Sequence, residues 1–223
     1  MDKSDSITQR INEAHKAAIK QDRTGADLIF RELLNELTND VDLYGHVLTH
    51  YAKCLREWGH LHEATQLYRE LVSKPAAHAP LSYVQMQQFA QLLVDQGQVS
   101  EALQHCDPWM VHEKVADRLL QEGKSEEGIK SLLAAVDSVV ESKMPSKASA
   151  IDLIRKLAEL LIERQQFSLA ERYLRLAHQL CGDRNWGSTH IARLLMTVLS
   201  AQGKNEEARS LREWLDKNEV CWG

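Results

Sequence analysis

An all-α protein built of about six antiparallel helical hairpins is the fold class this sequence predicts, and three observations predict it. Strong helix formers (Leu, Ala, Glu, Gln, Lys and Arg) dominate the 223 residues, with only 4 prolines and 10 glycines. Alternating runs of β-branched residues, the signature of half-buried strands, are missing. Most informative is a short grammar that recurs along the chain, seen in "GHLHEATQLYRELVSKP" at residues 59 to 75. A glycine there stands five residues before an alanine, and an aromatic follows four residues after it.

Taking that alanine, Ala64, as a marker, equivalents fall at Ala26, Ala102, Gly128, Ala170 and Ala208. Five residues before the markers stand Gln21, Gly59, Gly97, Gly123, Gln165 and Gly203, where a tight helix-to-helix turn wants left-handed backbone. Twelve residues before them lie Ala14, Ala52, Ala90, Ala116, Ala158 and Met196. Three further on come Ala17, Leu55, Leu93, Leu119, Leu161 and Leu199. Four residues after the markers are Phe30, Tyr68, Cys106, Leu132, Leu174 and Arg212, mostly large and apolar, with Arg212 the clear failure. Small residues on both sides of a turn let two helices approach closely, and the larger residue one turn later fills the seam to the next hairpin.

The copies follow in order. The first turns at Gln21 and the second at Gly59. The third turns at Gly97, in "VDQGQVSEA", and the fourth at Gly123, in "LQEGKSEEG". The fifth turns at Gln165 and the sixth at Gly203, in "SAQGKNEEA". Ser100, Ser125 and Asn205 are expected to start the second helices of their copies, with acidic residues close behind in the first turn. Marker spacings are 38, 38, 26, 42 and 38 residues. The 26-residue step has room for only two short helices broken at "HCDPWM", because the residue before Pro108 is pushed out of helical geometry. It reads as a joint between an N-terminal half-array, 1–106, and a C-terminal half-array, 107–223, within one continuous domain. The 42-residue step contains "ESKMPSKAS", a loop with Pro145 near the start of the next helix.

This pattern resembles the tetratricopeptide-repeat family over residues 7 to 217. The family's first-helix Trp is absent, and its closing proline survives only near Pro75. The resemblance implies a right-handed α-solenoid with an extended concave surface lined by the first helix of each pair. Carried over position by position, that surface comprises His46, Thr49, Lys53 and Arg56 in the second copy and Gln87 and Gln91 in the third. Arg155 and Glu159 follow in the fifth copy, and His190, Arg193 and Thr197 in the last. Lys and Arg in such a lining suit the carboxylates or backbone of an extended acidic peptide. The co-chaperone clamp for C-terminal carboxylates, a subtype of the family, wants Lys and Asn where this chain has Ile11, His15, Thr49, Lys53, Gln87 and Gln91. The match is poor, and a chaperone-tail binder is not expected.

Composition narrows the function classes. A net charge of −5 gives no basic face for nucleic acid and no polybasic run for an anionic membrane. The polar start "MDKSDSITQRINEAHK" is no secretory signal, and no apolar run approaches the roughly 18 to 20 residues that span a bilayer. Cys54, Cys106, Cys181 and Cys221 are scattered, which suits reduced thiols in a cytoplasmic protein.

Candidate chemistry is sparse. His46 and His50 share a helix face, with His60 and His62 in the following turn, but no HExxH pattern is present and no metal or other cofactor is expected. His105, Cys106 and His112 form a second group, and Cys106 sits on the seam, where packing is the simpler role. No nucleophile elbow, P-loop or dinucleotide fingerprint occurs, so an enzyme is not expected. Asp152 and Glu159 interleave with Arg155 and Lys156 as ordinary helical ion pairs. Trp58, Trp109, Trp186 and Trp214 are expected to pack at helix ends or joints. Trp222 either folds back to cap the last hairpin, the favoured reading, or meets a partner.

The function expected is a non-catalytic scaffold or adaptor that binds a protein or extended peptide, acidic in character. The alternative is a ligand- or peptide-sensing helical-repeat domain of a bacterial signalling or transcription system. Self-association through end hairpins is a third reading.

Overall fold

The structure, a computed structural model, describes residues 3–73, 81–141, 147–181 and 186–219. Pro75, Pro145, Cys221 and Trp222 lie outside them, and the side chain of Trp186 is likewise not described. The described residues form twelve helices and no strand. Two compact units divide them, one ending at Asp107 and one beginning at Pro108. The first holds α1 (Lys3–Ile19), α2 (Arg23–Glu36), α3 (Val41–Glu57), α4 (Leu61–Ser73), α5 (Tyr83–Asp95) and α6 (Val99–His105). The second holds α7 (Pro108–Gln121), α8 (Ser125–Glu141), α9 (Lys147–Glu163), α10 (Phe167–Cys181), α11 (Trp186–Ala201) and α12 (Asn205–Glu219).

Each hairpin is made by one device used six times. Gln21, Gly59, Gly97, Gly123, Gln165 and Gly203 all have positive φ, between 57° and 83°. The next residue's N–H reaches back to the carbonyl of Ala17, Leu55, Leu93, Leu119, Leu161 or Leu199, at 2.8–3.0 Å. This is a Schellman closure, which satisfies the helix's last carbonyls and reverses the chain. The first bond of each following helix then runs from the marker N–H to the residue four before it, at 2.9–3.1 Å. The connection is therefore fixed in length. Ser125 and Asn205 are the first residues of α8 and α12, as expected, whereas Ser100 is the second residue of α6. The capping positions are Gln98, Lys124 and Lys204, and Gln98 gives no side-chain cap. Asp22 caps α2, accepting from the Gly25 N–H at 2.9 Å.

Small residues at the markers and their partners are buried: Ala14, Ala26, Ala64, Ala90, Ala102, Ala116, Ala158 and Ala170 are all fully enclosed. At Gly128 even a methyl group would stand 2.8 Å from Leu120 Cγ, so glycine is what the approach of α7 and α8 allows. Between hairpins the seam is aromatic in the first unit. Phe30 stacks on Tyr51 at 5.1 Å between ring centres, and Tyr68 stacks on Phe89 at 5.3 Å. In the second unit the same register positions hold buried Leu132 and Leu157, then Leu174 and Leu195. Arg212, the odd member of the seam series, is exposed, since no hairpin follows α12 among the described residues.

The shortened step is resolved differently from two short helices. Only α6 is short, at 7 residues, while α7 runs 14. Cys106 turns extended after α6, and Pro108 is the first residue of α7, where its missing N–H costs nothing.

Candidate functional site

Within the first unit, α1, α3 and α5 are the first helices of the three hairpins, and α3 touches both others. The side chains they turn away from the second helices form one polar face. His46, Lys53 and Arg56 are exposed on α3, and Thr49 is half-buried between them. Thr49 is occupied locally, donating to the Gly45 carbonyl at 2.7 Å. Arg56 reaches across to α5 and donates to Asp95 at 2.9 Å. Gln91 donates to the same carboxylate at 2.7 Å, and Gln87 to the Tyr83 hydroxyl at 3.1 Å. Lys53 has no ion-pair partner among the described residues.

Beside Lys53 lies a group of imidazoles. His15, from α1, and His50, from α3, approach to 2.9 Å between Nε2 and Nδ1. His46 meets His50 edge-on, with ring centres 4.9 Å apart. The other nitrogen of His15 lies 3.6 Å from the Cys54 sulfur, and the Phe30 ring packs against the same imidazole. Burial pushes the His15 pKa below its ordinary value, with Lys53 adding to the effect and Glu57 opposing it. His50 is pushed to about 4, first by burial and then by His46, His15 and Lys53. The Cys54 thiol is pushed up to about 11 by burial, and Cys106 likewise, so both are protonated thiols at neutral pH. Both His15 nitrogens are already engaged. Among the described residues, no group of three His, Cys, Asp or Glu side chains is arranged to hold a metal ion.

In the second unit, the corresponding residues on α9 and α11 are committed to one another. Arg155 donates to Glu159 at 3.0 Å, with Asp152 at 3.9 Å, and His190 lies 3.4 Å from the same Glu159 oxygen. Lys156 is ion-paired with Asp117 of α7. Arg193 and Thr197 are exposed one turn apart, Thr197 donating to the Arg193 carbonyl at 3.0 Å. Thus α3 and α5 gather His46, Thr49, Lys53, Arg56, Gln87 and Gln91 onto one unit. Arg155, Glu159, His190, Arg193 and Thr197 belong to the other.

The second helices carry a different arrangement, which the sequence reading missed. Arg31 pairs with Glu63, Arg69 with Glu101 at 2.7 Å, and Arg175 with Glu207. Each pair is 32 residues apart and joins the second helix of one hairpin to that of the next. The arginine always stands five residues after a marker and the glutamate one before the next marker, a signal present in the sequence. Arg69 holds both oxygens of Glu101 and also reaches Gln98, and it lowers the Glu101 pKa. Glu171, 9% exposed, is clamped by Lys204 at 2.7 Å and Arg175 at 2.9 Å, which hold its carboxyl below the usual range against burial. At the remaining step inside the second unit the same register positions hold Leu133 and Leu169, which offer no such pair.

No protein-family model and no characterised protein sequence matches this chain. Solved structures do. BtubC (BKLC) from P. vanneervenii is 14% identical, with 97% of this chain and 89% of that one covered and a TM-score of 0.50. A Podosopora anserina chain, described as a kinesin light chain of nearly identical TPR-like repeats, is 12% identical over 97% and 96%, with a TM-score of 0.42. The likeness to BtubC is one of fold alone. The twelve helices, paired by a repeated turn, are TPR-like helical hairpins.

Proposed function

We propose that this protein is a non-catalytic helical-repeat scaffold that binds an extended, acidic segment of a partner protein on the first-helix face of its N-terminal unit. The observation that carries the reading is the contrast between the two sides of the hairpins. On the second helices, arginines are consumed in pairs that tie neighbouring hairpins together. On the α1–α3–α5 face, Lys53 and His46 stay exposed, and the flanking amides of Gln87 and Gln91 are held only by local bonds. Rigid hairpins thus hold cationic and amide groups at fixed spacing, so little ordering entropy is lost when an extended chain docks.

Arg155, Glu159, His190, Arg193 and Thr197 complete the proposed lining on the second unit. There Glu159 shares its charge between Arg155 and His190, which weakens that unit's claim on an anion. The two units are proposed halves of one array, 1–106 and 107–223, working in the cytoplasm.

The test is a panel of labelled twelve-residue peptides (acidic, neutral and basic) titrated against the whole protein, Lys53→Glu/Arg56→Glu, and Arg155→Glu/Arg193→Glu. The acidic set should bind, and the α3 pair of reversals should weaken it at least tenfold with helicity retained. Equal binding by the α3 variant refutes the assigned face.

A second reading has one observation in its favour. A cleft of about 390 Å³ between α8 and α10 is lined by Val136, Val140 and Leu176, with Arg172, Arg175 and Asp137 beside them. A ligand-sensing domain would use it, and a small amphiphilic acid that raises the melting temperature through Arg172 would favour that reading.

A further inference from the structure

The imidazole group on α1 and α3 gives the proposed face a property that Lys53 alone would not. Three histidines lie within reach of one another, His15 to His50 at 2.9 Å and His46 to His50 at 4.9 Å between ring centres. The groups around them are few. From α1 comes His15 itself, and from α2 the uncharged Phe30 ring and the Arg23 side chain, which lines the same cleft as His15, Cys54 and Glu57. From α3 come Lys53, Glu57 and the Cys54 thiol, while further along that helix Thr49 meets the Tyr68 hydroxyl of α4 and Arg56, with Gln91, holds Asp95 of α5. Glu57 is therefore the one carboxylate acting on the cluster without a basic partner of its own among the described residues, and it stands opposite Lys53 in its effect on His15. The cluster holds latent positive charge that the free protein discourages.

We propose that His15, His46 and His50, together with Lys53, form a proton-coupled docking site for the carboxylates of an acidic peptide: the bound anion draws a proton onto the imidazole cluster. The inference rests on the reading of the α1–α3–α5 face as the acidic-peptide surface. A carboxylate within about 4–6 Å of an imidazole favours its charged form and raises its pKa by 1–3 units. The His15–His50 contact needs one neutral ring to accept, so one added proton fits the pair and a second does not. By linkage, a group that takes up a proton on binding makes binding tighter as pH falls. Peptide carboxylates, with pKa near 4.3, stay ionised above pH 6, so they contribute nothing to that trend. The linked protons belong to the protein.

The experiment is calorimetric titration of the whole protein with a ten-residue oligoglutamate, at pH 6.0, 7.0 and 8.0 and constant ionic strength, in two buffers of different ionisation enthalpy. The expected result is binding about five- to tenfold tighter at pH 6.0 than at pH 8.0, with uptake of up to about one proton at pH 6.0. His46→Gln, an exposed position that does not threaten folding, and His50→Gln should each reduce both, while Lys53→Gln should weaken binding at every pH and leave the proton uptake. Binding without pH dependence, or proton uptake unchanged in His46→Gln and His50→Gln, overturns the coupling while leaving the peptide-binding face intact. No binding at any pH overturns both.

Discussion

The six turns make a quantitative prediction, because two of them break the rule that the other four obey. Gln21 and Gln165 sit at φ 65° and 57°, where Gly59, Gly97, Gly123 and Gly203 sit at 76° to 83°. A side chain in left-handed backbone costs about 1–2 kcal/mol. A Cβ built on any of those four glycines meets nothing within 4 Å, so the penalty there is torsional and not steric. Gln165→Gly should remove the penalty, offset by about 0.4–1 kcal/mol of extra chain entropy in the unfolded state, for a net gain of about 0.5–1 kcal/mol. The mirror substitution, Gly203→Gln in the same unit, should lose a similar amount. At about 2–4 °C per kcal/mol for a protein of this size, the two variants should melt about 2–8 °C apart. Because the chain has two units and two-state behaviour is not assured, urea unfolding is best followed by tryptophan fluorescence, with Trp58→Phe leaving only tryptophans of the second unit as reporters. If Gln165→Gly destabilises, or if both changes act with the same sign, backbone torsion is not what selects the residue at these turns.

Three further outcomes follow from the packing and the charges. The Arg69–Glu101 clasp should show a coupling of about 0.5–1 kcal/mol in a double-mutant cycle of Arg69→Ala and Glu101→Ala, with partial recovery in the Arg69→Glu/Glu101→Arg exchange; no coupling in urea titrations would make the clasp ornamental. Gly128→Ala should lower stability by about 1 kcal/mol, because overpacking against Leu120 at about 1–3 kcal/mol exceeds the helix-propensity gain of about 1 kcal/mol, as chemical denaturation will read. His50 in the folded chain takes a proton only near pH 4, whereas the unfolded chain takes it near 6.5, so its contribution is whole above pH 6.5 and is lost as pH falls toward 4. With the ring half exposed, the loss is about 1 kcal/mol after screening, and melts at pH 7.0 and 5.5 should show it narrowed in His50→Gln.

Legibility in the sequence followed local chemistry. The turns were readable because a Schellman closure makes a demand on one residue, and glycine answers it at four of six positions. Ala17, Leu55 and their equivalents were visible as a periodic position before their carbonyls could be seen accepting the closing bond. Helix starts were legible at Ser125 and Asn205, the first residues of α8 and α12, while at Ser100 the expectation fell one residue late, because the fixed three-residue connection dictates that α6 begins at Val99. The Arg–Glu clasps escaped notice because the repeat was read through apolar and small residues, and a charge pair 32 residues apart is invisible until two hairpins are laid side by side. The His15–His50 contact was hidden for the same reason: its partners lie 35 residues apart, on α1 and α3, so that i, i+4 spacing revealed only His46 with His50.

What distinguishes the two faces of these hairpins is therefore how each disposes of its charge. On the second helices, Arg31, Arg69 and Arg175 are each held by a carboxylate of the next hairpin, and a charge so held adds rigidity but has little left to offer a ligand. On the α3 face Arg56 is likewise held by Asp95, but the neighbouring cationic groups are not so held. Imidazoles crowd against one another and against Lys53, with burial and mutual repulsion keeping His15 and His50 neutral at pH 7. Such a face has unmet demand for negative charge, and the demand grows as protons are added. An acidic partner that meets it would relieve the same repulsion that makes the free protein weaker in mild acid. Stability falling and affinity rising over one pH interval, both through His50, is the joint signature of this arrangement, and a structural role for the histidines alone would produce only the first.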